Sequence, residues 1–196
     1  MGDIRVGLGF DIHPFSDDPS RRLVLGGVHL PGERGLAGHS DADVVAHAVG
    51  DAVLGACGLG DLGEHFPDTD PAWAGADSLS LLAAVVRLAG EAGWSVGNVD
   101  CTVVLEAPKL APHRAEMASR LAAVVGADVS VKATRAEGLG AIGRGEGVAC
   151  WAVVLIERTG LGRPAREAGP DGPSQRPPDG GSAGSRSRAA RPWPSC

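Results

Sequence analysis

Two apolar periods alternate along residues 4–156, and this constrains the chain more than any other feature. Ile4, Val6, Leu8 and Phe10 alternate with Arg5, Gly7 and Gly9, a period of two that belongs to an extended strand with one apolar face. Val44, Val45, Ala48, Val49, Ala52 and Val53 recur instead at helical spacing and form the stripe of an amphipathic helix. The two periods then keep exchanging. Residues 23–30 read as a strand pair or a bulged strand ended by Pro31-Gly32, 78–92 as a helix closed by Gly93, and 99–105 as a strand. Residues 112–125 read as a helix with proline at its start and Gly126 after it, and 129–133 and 148–156 as strands. The last run is apolar throughout and is expected to be buried on both faces. Strands and helices in this order predict an α+β fold, an α/β sandwich in which helices cover one face of a sheet.

The pattern stops near Gly160. Beyond it the chain is dominated by Gly, Pro, Ser, Arg and Ala, with almost no aliphatic side chain to offset chain entropy. The expected organisation is one domain over residues 1–159 and a disordered tail over 160–196. The whole chain carries a formal charge of −6, and the tail holds six arginines against Glu167, Asp171 and Asp179, so the domain carries about −9. Such a domain repels phosphate backbones, and no nucleic-acid partner is expected. The four cysteines, Cys57, Cys101, Cys150 and Cys196, form no C-x-x-C pair, which suits a reducing compartment. No signal-peptide pattern or membrane-length apolar run is present. A cytoplasmic protein without a membrane partner is expected.

The chemistry-bearing residues fall into three segments. Asp11 and His13 sit two apart at the end of the first strand, opposite its apolar set, and can converge on one ion. His47 lies on the following helix with Asp43 one turn before it and Asp51 one turn after, so a carboxylate there could orient the imidazole. Imidazole and carboxylate are ligands that zinc prefers; spacing alone leaves open a loop pair and a core histidine instead. Ser40 is expected to cap that helix with Asp43 three residues on. His39 and Ser40 at a helix N-terminus would then suit a phosphate. Residues 60–71, rich in Gly, Pro and Asp, are expected to form an irregular loop in which Asp61, Asp68 and Asp70 could hold a hydrated cation or sugar hydroxyls. The run 132–147 combines Lys132, Thr134, Arg135, Glu137, Arg144 and Glu146 with five glycines and allows close approach to an anion. A glycine-rich hairpin is the alternative there.

Together, G-F-D-I-H, H-S-D-A-D-V-V-A-H-A, G-D-L-G-E-H-F-P-D-T-D-P, V-K-A-T and G-R-G-E-G resemble the 2-C-methyl-D-erythritol 2,4-cyclodiphosphate synthases of the non-mevalonate isoprenoid pathway. The resemblance spans about residues 4–157, in order. It implies a phosphorus–oxygen lyase that closes 4-diphosphocytidyl-2-C-methyl-D-erythritol 2-phosphate into a cyclic diphosphate and releases CMP. It further implies a homotrimer with active sites between subunits, zinc on Asp11, His13 and His47, and a second divalent cation, magnesium or manganese, on Glu137. His39 and Ser40 would grip the attacking 2-phosphate, and His39 would be a catalytic residue that could stabilise the transition state. Asp61 and Gly63 would contact ribose or erythritol, and Phe66, Pro67, Asp68, Thr69 and Asp70 would form the loop over the erythritol phosphate. Ala107, Pro108, Lys109 and Leu110 would frame the cytosine, with Thr134, Ala141 and Arg144 completing the substrate contacts.

Two positions depart from the family pattern. Arg135 and Ala136 stand where a hydroxyl-rich run is usual, and the first of these positions is the one tied to transition-state stabilisation. Arg135 is therefore read as a catalytic position that could supply charge to the leaving CMP phosphate, or whose bulk could obstruct the site. Ala141-Ile142 replaces an aromatic wall before the glycines. Two other readings follow from the same residues: a zinc-dependent phosphohydrolase, and a trimer that binds metal or isoprenoid phosphate with impaired turnover.

Overall fold

The computed structural model describes residues 3–159; the expected tail lies outside the described residues. Strand β1 spans Ile4–Pro14, the short strands β2 (Leu23–Leu25) and β3 (Val28–Leu30) form a hairpin, and helix α1 spans Val44–Cys57. A one-turn helix α2 (Leu62–His65), a 3-10 turn (Pro71–Trp73) and helix α3 (Ser78–Glu91) follow. The remainder is β4 (Trp94–Val104), α4 (Arg114–Val125), β5 (Asp128–Thr134), α5 (Gly140–Gly143) and β6 (Gly147–Arg158). The main sheet runs β1-β6-β4-β5, antiparallel except for the parallel β4–β5 pair that α4 connects. Because β4 lies between β5 and β6, the glycine-rich run 132–147 is not a hairpin. It ends β5, makes the helical turn α5 and crosses the sheet end. The loop at 60–71 is also more regular than expected, since Asp61 caps α2 and Asp70 caps the 3-10 turn.

The first strand is buried on the side its composition did not indicate. Gly7 and Gly9 are buried, whereas Ile4, Val6, Leu8, Phe10 and Ile12 face outward with Leu8 68% exposed. A Cβ at Gly7 would lie 1.9 Å from the Ala52 carbonyl oxygen, and one at Gly9 would lie 1.9 Å from that of Ala48. The absence of side chains there lets α1 pack directly on the β1 backbone. Strand β6 repeats the arrangement: Ala152, Val154 and Ile156 point to the helices while Trp151 and Val153 face outward. The expectation that β6 is buried on both faces is therefore corrected; its outer face is apolar but open in the single chain.

The core lies between this sheet and α1, α3 and α4. Helix α1 begins at Val44, and its cap is Asp43 rather than Ser40. The fully buried Asp43 carboxylate accepts from Val45 and Ala46 N–H and also from Gly26 and Gly27 N–H at 2.8 and 2.6 Å. One side chain thus ends the helix and holds the β2–β3 turn. Burial pushes its pKa up to about 6 against those N–H bonds. At the far end of the sheet, Arg5 and Arg158 sandwich the Trp94 ring at 4.4 and 4.3 Å. Each such contact contributes about 0.5–2 kcal/mol, and Arg5 also donates to the last carbonyls of α1 at Ala56 and Cys57.

Candidate metal centre and flanking cavities

Asp11 and His13 share the β1 face of Gly7 and Gly9, so the contact that seats α1 on the glycines brings its first turn to them. His47 Nδ1 lies 2.9 Å from Asp11 Oδ2, and His13 Nε2 lies 3.1 Å from the same oxygen. The two ring nitrogens are 3.4 Å apart. A tetrahedral zinc ion with bonds of about 2.0 Å separates its ligand atoms by about 3.3 Å. The three atoms therefore form one face of such a site, and the donor set fits a borderline divalent cation. His13 Nδ1 bonds the Ala37 carbonyl at 2.8 Å, which puts the ring proton there and leaves the Nε2 lone pair to the cation.

The carboxylate behind His47 is not the expected one. Asp43 is spent on the helix cap, and Asp51 accepts from Leu62 N–H at 2.8 Å, which fixes the start of α2. His47 Nε2 instead meets Ser78 Oγ at 2.8 Å and Ser40 Oγ at 3.1 Å. Ser78 Oγ lies 2.5 Å from Asp41 Oδ1. Burial opposes ionisation of Asp11, but hydrogen bonds and charge from His13 and His47 outweigh it and hold the carboxyl well below the usual range. Burial likewise opposes the His47 imidazolium, yet the Asp11 hydrogen bond and the charges of Asp11, Asp43 and Asp41 raise its pKa. Without metal, a proton on Nδ1 bridges His47 to Asp11 in the place a cation would take.

The triad opens into a cavity of about 580 Å³ that His39, Ser40, Gly63, Phe66, Pro67 and Asp68 line, together with Trp73, Leu62 and Leu81. His39 Nε2 bonds the Asp70 carbonyl at 3.0 Å, and Gly75 N–H donates to the His39 carbonyl, so the His39 segment and the loop support one another. The expected phosphate site at a helix N-terminus is corrected: Asp43 takes the first free N–H groups of α1, and Ser40 sits a turn earlier, accepting from Ala42 N–H. Asp61 and Thr69 do not line the cavity.

A second cavity of about 300 Å³ lies at the ends of β4 and β5, lined by Pro108, Lys109, Leu110, Arg114, Thr134 and Arg135 among others. Arg135 donates Nε and Nη2 to Glu106 Oε2 at 2.8 and 2.6 Å, while Glu106 Oε1 accepts from Ala136 N–H at 2.9 Å. Glu106 thus pins the turn in which Glu137 adopts a left-handed φ of 52°. Ala107, Glu137, Ala141 and Arg144 line neither cavity, and Arg144 pairs with Glu146 at 2.6 Å. Sequence reasoning did not find Asp41, Ser78, Trp73 or Glu106. Ser78 follows the Asp77 cap of α3 and reads as an ordinary first-turn residue; only tertiary contact reveals its partner.

A family model, the YgbB family, matches residues 4–157. The chain belongs to this family. The resemblance carried by the five motifs is therefore a family membership, that of the 2-C-methyl-D-erythritol 2,4-cyclodiphosphate synthases. The member from Thiobacillus denitrificans bearing that name is 56% identical over 161 residues, which cover 81% of this chain and 99% of that protein. The bifunctional enzyme IspD/IspF of Anaeromyxobacter dehalogenans is 56% identical over 158 residues; these are 79% of this chain but only 40% of that protein. The solved Plasmodium falciparum IspF, a CDP complex, matches with a TM-score of 0.69 at 31% identity, over 81% of this chain and 99% of that one. That structure and this chain share the mixed α and β architecture with a central sheet. No helix among the described residues is long and apolar enough to cross a membrane.

Proposed function

We propose that this chain catalyses intramolecular phosphoryl transfer, converting 4-diphosphocytidyl-2-C-methyl-D-erythritol 2-phosphate into 2-C-methyl-D-erythritol 2,4-cyclodiphosphate and CMP. The observation that carries the reading is the convergence of Asp11 Oδ2, His13 Nε2 and His47 Nδ1 within 3.4 Å at the cavity that His39 and Ser40 line. Nucleophile and electrophile belong to one substrate, so the protein's task is alignment and charge neutralisation rather than generation of a nucleophile. Asp11, His13 and His47 would hold zinc, which when bound supplies Lewis-acid polarisation of a phosphate oxygen. His39 and Ser40 would orient the attacking 2-phosphate beside that position. The loop carrying Phe66, Pro67, Asp68, Thr69 and Asp70 would cover the erythritol phosphate and exclude water, with Asp61 and Gly63 contacting sugar hydroxyls.

The second cavity is read as the cytidine site, framed by Ala107, Pro108, Lys109 and Leu110 with Thr134, Ala141 and Arg144. Arg135, anchored on Glu106, would bring a fixed positive charge to the leaving CMP phosphate, and Glu137 would hold magnesium or manganese. In a homotrimer, the metal-side cavity of one protomer would meet the cytidine cavity of its neighbour. The outward apolar face of β1 and β6 is the surface such an assembly would bury. Covering its seven large side chains, each 42–68% exposed, would contribute about 5–10 kcal/mol per protomer.

Phosphorus NMR of the reaction with the cytidyl substrate tests the reading. A ring diphosphate with one equivalent of CMP is expected. Release of inorganic phosphate would replace this reading with a zinc-dependent phosphohydrolase, and binding without turnover would replace it with an impaired binding protein.

A further inference from the structure

We infer that Ser78 and Asp41 are positioning residues that set the tautomer of His47 and thereby the affinity of the metal centre. The inference rests on the metal reading of the triad given above. Three side chains from three segments form one chain of hydrogen bonds whose direction the structure fixes. Asp41 Oδ2 receives Ser78 N–H at 3.3 Å and Asp41 Oδ1 lies 2.5 Å from Ser78 Oγ, so a single carboxylate holds both polar groups of Ser78. A carboxylate only accepts, hence the Ser78 hydroxyl proton points to Asp41. The lone pairs of Oγ then face His47 Nε2 at 2.8 Å, so that nitrogen carries a proton, as Nδ1 does toward Asp11 in the metal-free protein.

The consequence falls on the opposite side of the ring. With Nε2 keeping its proton, His47 gives up the one on Nδ1 when a cation enters, and the Nδ1 lone pair then faces the point between Asp11 Oδ2 and His13 Nε2 where that cation would sit. Donation into a hydroxyl that is itself polarised by a carboxylate raises ring basicity, as a direct carboxylate partner would. Interposing the hydroxyl keeps the Asp41 charge one group away from a centre that already contains Asp11. Ser40 Oγ at 3.1 Å is the poorer partner, because it also accepts from Ala42 N–H. Ser78 is 1% exposed and Ser40 6%, so water has little access to substitute for either hydroxyl.

The fixed direction predicts unequal effects of two small changes. Ser78→Ala removes the acceptor and leaves only Ser40. Asp41→Asn replaces an obligate acceptor by an amide that can donate to Ser78 Oγ, which allows the hydroxyl proton to turn toward Nε2 and move the ring proton to Nδ1. Both changes should weaken zinc binding by about 10- to 100-fold. Ser78→Thr keeps the hydroxyl and should stay within about 3-fold of wild type.

The test measures zinc dissociation constants of the full chain by chelator competition, with the melting temperature of the metal-free protein recorded for each variant. Cobalt substitution, read by its visible absorption bands, reports ligand geometry independently of activity. Loss of affinity in Ser78→Ala and Asp41→Asn, rescue in Ser78→Thr, and altered cobalt bands would support the inference. Zinc affinity of Ser78→Ala equal to wild type would overturn it, as would equal loss in the Ala and Thr variants. A wild-type protein that binds no zinc would overturn the metal reading together with it.

Discussion

Replacing Gly9 with alanine tests the contact that builds the centre. The new Cβ would stand 1.9 Å from the Ala48 carbonyl oxygen and 2.7 Å from Ala52 N, both helix backbone atoms. Ordinary contact begins near 3.4 Å, so the first separation is short by about 1.5 Å, and no flexible side-chain end can yield. Either α1 lifts from β1 or β1 bends. Overpacking against a rigid partner costs about 3 kcal/mol, and a domain of this size loses about 2–4 °C per kcal/mol. A fall in melting temperature of about 6–12 °C is expected. The functional effect should be disproportionate: Ala48 adjoins His47, so the same displacement opens the 2.9 and 3.4 Å spacings of His47 Nδ1 to Asp11 and His13. Calorimetry and zinc competition on one sample read both effects, and zinc affinity should fall at least 10-fold. Gly9→Ala that melts within 1 °C of wild type and keeps its zinc affinity would refute the claim that bare backbone at Gly9 seats His47.

Two further predictions concern charge and assembly. In the metal-free protein, the raised His47 pKa contributes stability that is present below 6.5 and lost as pH rises through the higher folded value. The depressed Asp11 pKa contributes stability that is present above 3.8 and lost as pH falls toward its folded value. Zinc must displace the His47 proton, so the urea-midpoint gap between zinc-loaded and metal-free protein should widen as pH rises from 5 to 8; a flat gap would count against the bridge. Leu8→Glu places a charge on the outward β1 face where the side chain is 68% exposed in the single chain. On the proposed trimer it should leave circular dichroism intact and reduce the mass measured by analytical ultracentrifugation from three chains to one, and an unchanged mass would remove this face from the proposed interface.

The candidate metal centre was legible in part because its residues obey local periods, although spacing alone left open a loop pair and a core histidine, and the five motifs together decided between them. Two residues apart on a strand fixes Asp11 and His13 to one side, and the apolar stripe around His47 fixes a helix. The inward side of β1 was not legible in the same way. Apolar alternation identifies two faces but not which of them meets the helices, and here the two glycines mark the packed side because α1 lies directly on their backbone. The cap of α1 was obscured by its own composition, since Ser40, Asp41 and Asp43 are all residues that end helices well. Asp43 takes the position because the β2–β3 turn brings two more N–H donors to it. Arg135 stood out as a departure, yet its partner Glu106 lies 29 residues earlier, and no spacing rule links the ends of parallel neighbours.

The pairing of β1 with β6 places Ile4 opposite Glu157 and Pro14 opposite Gly147. Entry and exit of the domain are therefore adjacent, while Asp11 lies seven residues along β1, about 24 Å from that end. The two ends could be linked to each other and the chain reopened elsewhere, a circular permutation that leaves every ligand in register. In this geometry the closing seam of the domain, where Ile4 meets Glu157, is remote from the strand position that carries Asp11.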